Sequence, residues 1–176
     1  SRTLLNPSNP ASYAAIDSLS FLFDAGFYIK AASFTTSKES ASGSNASFDY
    51  ASIGLSATKR WKIGLGIMPY ANREYNVITE HHDVGTYNVA FQGEGGLNRF
   101  FFANGFNITK DLTAGITASY ISGTLTDNTS VYYPDSASFL NGKRSIEMKV
   151  NDIKLDYGIL YRLPIDKYNI TIGATY

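Results

Sequence analysis

The chain's only two histidines stand side by side in Glu80-His81-His82-Asp83. Imidazole and carboxylate are zinc ligands, so this run could hold a metal. Adjacent residues on extended backbone project to opposite sides, however, and a solvated loop tip is the simpler expectation. No metal site is assigned. A Ser-His-Asp hydrolase needs a histidine on a strand face beside a serine; here both histidines fall on a turn. Cysteine is absent, which removes thiol nucleophiles, disulfides and Cys-based zinc sites. Gly93-Glu94-Gly95-Gly96 lacks the Lys-Ser/Thr that completes a phosphate loop. No catalytic residue and no cofactor are expected, and the chain does not read as an enzyme.

Binding is the other chemistry within reach. Asp24, Lys30, Lys62, Lys154, Asp156 and Arg162 lie on the polar phase of their segments. They could steer a carboxylate ligand, or pair with one another inside a barrel. Lys30, Met68, Tyr70 and Phe101 are the candidates to line an apolar channel for a fatty acid-like ligand. Ordinary filling of an interior is the plainer role for the same residues.

These groups must be carried by strands. Leu112, Ala114, Ile116, Ala118 and Tyr120 alternate with Thr113, Gly115, Thr117 and Ser119. Side chains alternate faces along a strand, so a period of two gives one oily wall and one wet wall. In a soluble sandwich the oily wall is the core; in an outer-membrane barrel it meets lipid. Charged residues make up only 17% of the 176, and aromatics 14%, with 13 Tyr and 11 Phe. That balance suits a membrane barrel with aromatic girdles; a tyrosine-rich soluble β-protein is the alternative. Net charge is zero, which leaves no electrostatic case for nucleic acid. No segment reaches the ~18–20 apolar residues of a transmembrane helix.

Residues 1–18 read as an irregular periplasmic-side lead-in, and 19–176 as transmembrane β-barrel strands. Seven crossings are expected, at about 19–33, 46–58, 61–79, 97–108, 112–126, 146–163 and 169–176. Short turns fall at Lys59-Arg60, Thr109-Lys110-Asp111 and Pro164–Lys167; long outer loops fall at about 34–45, 72–96 and 127–145. A phase change predicts a bulge near Ala51. Residues 84–92 read as one arm of an outer hairpin, and Gly93–Gly96 as a break. Asn104 interrupts the oily side of Phe100, Phe102, Phe106 and Ile108. Trp61 fits an interfacial anchor. Bacterial single-chain barrels use even strand numbers. An odd count therefore predicts part of a larger barrel, or an eight-stranded one with a strand missed.

Asn9-Pro10-Ala11, Gly64-Leu65-Gly66-Ile67, Gly93–Phe100, Lys110–Gly115 and Ala118–Thr124 occur in an order that resembles the FadL-type outer-membrane family, particularly members from Bacteroidota. The resemblance spans the whole chain. It implies a piece of a barrel of about 14 strands, with an N-terminal hatch and a lateral opening at a kinked strand. Asn9, Pro10 and Ala11 would then match the hatch-exit turn, and the kink would fall at Pro69 or at Gly93–Gly96. On this resemblance the chain binds or transports hydrophobic small molecules across the outer membrane of a Gram-negative bacterium. Its partners would be membrane lipid, a fatty acid-like ligand and outer-membrane complex subunits. A second reading is a non-transporting barrel subunit of an outer-membrane assembly or secretion complex. A third is a soluble secreted β-sandwich.

Overall fold

The computed structural model describes residues 9–16, 20–35, 40–82, 86–133, 140–165 and 168–176. These residues form an all-β antiparallel sheet, with one short helix among them. The strands are β1 (Phe21–Thr35), β2 (Ser40–Ser56), β3 (Trp61–Asn72), β4 (Tyr75–His81), β5 (Tyr87–Asn107), β6 (Leu112–Tyr132), β7 (Gly142–Ile165) and β8 (Tyr168–Thr175). Pairing follows the path β1-β2-β3-β5-β6-β7-β8, seven strands in the expected order. The path is open, with β1 and β8 at its two ends.

β4 pairs with β5 off this path, from Tyr75↔Gly93 to His81↔Tyr87. Of the expected outer arm at 84–92, residues 87–92 are the start of β5, hydrogen-bonded to β4. The expected break at Gly93–Gly96 does not occur, because β5 runs straight through it. Gly95 adopts φ 104, a left-handed value that costs glycine little. Across from it Arg73 N donates to Gly95 O at 3.0 Å, beside the two-residue gap between β3 and β4. The irregularity is therefore a local bulge in a continuous strand.

The expected bulge near Ala51 is present two residues earlier. Gly26 pairs with Tyr50 and Phe27 with Phe48, so Asp49 is the extra residue. The long loops expected at 34–45, 72–96 and 127–145 are instead largely strand: β2 begins at Ser40, β5 at Tyr87, and β6 persists to Tyr132. Serine, threonine and asparagine in both phases of the sequence erase the hydropathy period without disturbing the backbone ladder.

The lead-in is not irregular where it is described. Pro10–Ala15 form a 3-10 helix. Asn9 caps it, its Oδ1 accepting from Ala11 N at 3.0 Å, and Pro10 takes the first position, where a missing N–H costs nothing.

Contacts divide the chain into two compact units. The first comprises 1–68, 99–120 and 153–176; the second comprises 69–98 and 121–152. In the first unit the 3-10 helix covers one face of the strands. Tyr13, Ile16, Phe101 and Ala103 form its buried cluster, with Leu22 and Met68 packed against them. The helix lies close because Gly105 and Gly115 offer no side chain: a Cβ at Gly105 would strike the backbone of Ala14, and one at Gly115 the backbone of Pro10. The opposite face is bare and apolar, with Phe23 62%, Phe27 76% and Ile153 72% exposed. In the second unit Leu97 and Ile121 are the buried hydrophobics, and β7 from Gly142 to Lys149 has exposed residues in succession.

Candidate functional site

The two faces of the first unit differ: the covered one mixes an apolar cluster with polar groups, and the bare one is apolar. Its covered face buries Ser52, Lys62, Arg99, Thr117 and Ser119, while its bare face shows Phe, Leu, Ile and Tyr. Buried polar groups are costly unless paired; a connected network supplies partners for Arg99 and Ser119, whereas Ser52 Oγ and Thr117 Oγ1 make no hydrogen bond among the described residues. Arg99 Nε donates to Ser119 Oγ at 2.8 Å, and its Nη2 meets Asp156 Oδ2 at 2.7 Å. Lys154 Nζ reaches the other oxygen of Asp156 at 2.6 Å. The Arg99 guanidinium also lies 5.8 Å from the centre of the Phe101 ring. Neighbouring positions in β5, β6 and β7 are thereby fastened together. Elsewhere Lys62 donates to Ser56 Oγ at 2.5 Å, and Tyr50 OH donates to Asp24 at 3.0 Å. Burial holds the Tyr13 phenol well above its ordinary pKa of 10.0; the positive charge of Arg99 opposes this only in part.

The bare face carries its own order. Trp61 stacks on Phe106 with ring planes 4° apart and centroids 6.3 Å apart. Its Nε1 donates to Asn104 Oδ1 at 3.0 Å. Asn104, the polar residue in the oily phase, is there to satisfy the indole, as an exposed Trp at an apolar boundary requires. Nearby, a groove of about 470 Å³ is lined by Leu65, Phe100, Phe102, Tyr120 and Ile153 among others. Such a surface can take an acyl chain; it offers no group for chemistry.

The four candidate channel residues meet different fates. Phe101 and Met68 do come together, but in the packing under the helix. Lys30 sits over the Tyr28 ring at 5.0 Å. Tyr70 is half exposed and belongs to the second unit. Of the six candidate lumen charges, Asp156 and Lys154 pair with each other, Asp24 and Lys62 take hydroxyl partners, and Arg162 lines a cavity. Pairing, not ligand steering, occupies most of them. At the histidine pair, His81 stacks on Tyr87 at 5.1 Å and His82 Nε2 lies 4.0 Å from Glu80. Asp83 lies outside the described residues. No cluster with metal-ligand composition occurs among the described residues.

In the second unit Arg73 pairs with Asp127, and Tyr75 OH donates to the same carboxylate at 2.9 Å. Sequence reasoning passed over Tyr13, Arg99 and this pair. Arg99 had a usable signal: it stands two residues before Phe101 and so shares its face.

Asn9, Pro10 and Ala11 carried the likeness to FadL-type transporters. Their observed role is a helix cap and start, packed against glycines of the strands. Small residues and tight caps serve any helix laid on a sheet, so the likeness in order was one of packing devices. No curated protein and no solved structure matches the chain. The family model that does match is BamG, along residues 1–176, and it overturns the FadL-type assignment. The chain belongs to the BamG family, a family associated with the Bam complex.

Proposed function

We propose that this chain is a membrane-spanning subunit of the outer-membrane assembly machinery of a Gram-negative bacterium, serving as a scaffold and carrying out neither transport nor catalysis. Family membership along the entire chain carries this reading. The bare apolar face of the first unit supports a bilayer location, since an apolar face outward, backed by a face that buries Lys62, Arg99, Thr117 and Ser119, is the pattern of an outer-membrane barrel wall. Strand length is compatible with it: β5 and β6 have 21 residues and β7 has 24, beyond the ~9–11 that cross a bilayer. The scaffold role is favoured over transport because the 3-10 helix packs directly on the covered face and most polar groups there are paired.

The test is affinity purification of the tagged chain from native outer membranes in mild detergent. We expect it to bring down the barrel-assembly machinery in constant stoichiometry, with no fatty acid in the lipid extract above the level of bulk membrane. Recovery of the chain alone, with co-purified fatty acid, would reject the reading.

A further inference from the structure

We propose that a basic cavity at the turn end of the first unit is the docking site for an acidic polypeptide segment of an assembly partner, an inference that rests on the scaffold reading above. The cavity has a volume of about 610 Å³. Lys59, Arg60, Lys62, Lys110 and Arg162 line it, and no carboxylate does among the described residues. These are five of the chain's 15 basic residues, gathered in one place although the net charge is zero. Like charges held together repel, and an anionic occupant relieves that repulsion. Lys62 is buried and donates to Ser56, so the exposed Lys59, Arg60, Lys110 and Arg162 present the charge. Asp111, next in sequence to Lys110, lines a smaller cavity together with Lys110 and Arg162.

The turns that bear these cations are fixed in advance. Thr58 Oγ1 accepts from Arg60 N at 3.3 Å and from Trp61 N at 3.0 Å. Thr109 Oγ1 accepts in the same way from Asp111 N at 3.2 Å and Leu112 N at 3.0 Å. Asn107 N donates to Arg60 O at 2.8 Å, tying β5 to the first turn. A ring of charge on preset backbone loses little freedom when it binds. Ile16 and Ile108 add apolar wall, which suits a peptide that mixes carboxylates with aliphatic side chains. The occupant arrives from water and not from lipid. Ala14 and Ala15 of the covering helix and its C-cap Ile16 form part of the wall, whereas Trp61, next to Arg60, joins the bare face through Phe106.

The full chain in phosphatidylcholine nanodiscs is titrated with a fluorescein-labelled Glu-rich peptide and followed by anisotropy. We expect saturable, salt-sensitive binding that Lys59→Gln, Arg60→Gln and Lys110→Gln together weaken at least about tenfold. Lys59→Arg with Lys110→Arg keeps it. The same loss of charge on β7, through Lys143→Gln, Arg144→Gln and Lys149→Gln, leaves it within about twofold. Absence of binding, or equal loss in both triple variants, overturns the proposal. So does complete displacement of the peptide by phosphatidylglycerol in the nanodisc, which makes the cavity a lipid-phosphate site. Co-purification of the wild-type chain with the machinery is read separately: if it persists while the peptide fails, the docking site falls and the scaffold role stands.

Discussion

The two ends of β7 belong to different units and obey different rules. From Gly142 to Asp152 the exposed side chains include Lys143, Arg144, Glu147, Lys149 and Asp152, with apolar residues scattered among them. From Ile153 onward the exposed large hydrophobics are Ile153, Leu155, Tyr157, Ile159 and Tyr161, spaced by two. The backbone is the same antiparallel ladder throughout. What changes is the solvent each stretch is written for: water on both faces in the first stretch, and on the proposed placement hydrocarbon on one face in the second. β6 repeats the change. Thr117 and Ser119 are buried between exposed Ala118 and Tyr120, whereas beyond Ile121 the residues are uniformly half-buried.

The strongest test of that contrast uses two isoleucines of β7 with equal exposure, Ile159 and Ile146, each 46%. Ile159→Lys should cost ~2–4 kcal/mol when placed near mid-bilayer, and Ile146→Lys should stay within ~0.5 kcal/mol. Urea unfolding from lipid vesicles measures both; equal tolerance removes the case for lipid on the bare face. The ion pairs offer a second contrast. Arg99 and Asp156 side chains are 11% and 17% exposed, against 37% and 33% for Arg73 and Asp127. Arg99→Ala should destabilise by about 3 kcal/mol through the loss of a buried partner, and Arg73→Ala by less than about 1 kcal/mol. Glycines give a third. Gly115→Ala would drive a methyl into the backbone of Pro10, while a Cβ at Gly142 meets nothing within 4 Å. The former should cost about 1–3 kcal/mol and expose the helix to protease; the latter should leave both readouts unchanged.

The smallest effect is a pH dependence confined to the helix. Burial raises the pKa of Tyr13, so the docked helix prefers the neutral phenol. Its contribution is complete below the unfolded value near 10.0 and declines as pH climbs toward the raised folded value. Tyr13→Phe should abolish that alkaline loosening, followed by protease sensitivity of the lead-in. Below pH 10.0 it should cost little stability, because the Tyr13 hydroxyl makes no hydrogen bond among the described residues.

Strand phase was legible because a period of two is written directly in residues such as Leu112–Tyr120. The seven strands of the main path, their order and the β2 bulge followed from it. Strand ends were not legible: in Ser40–Ser47 and Thr124–Ser130 polar residues fill both phases of the sequence, and hydropathy is silent where both are wet. The helix was missed although Asn9-Pro10 is a cap followed by a favoured first residue; six residues are too few to show a helical period. The Arg99 network was half visible, since Lys154 and Asp156 were placed on the inner phase but their partner on β5 was overlooked. The family was not legible at all, because capping and small-residue packing recur wherever a helix lies on a sheet.

The 3-10 helix precedes every described strand, yet Asn9 sits against Gly158 of β7 and Gly173 of β8. Its docking surface is therefore incomplete until the final hairpin has formed. High contact order of this kind slows folding, because loop-closure entropy is spent before distant contacts repay it. The earliest described segment is obliged to wait for the latest, and until it seats, polar strand edges and an unfilled interior stay open to whatever surrounds the nascent protein.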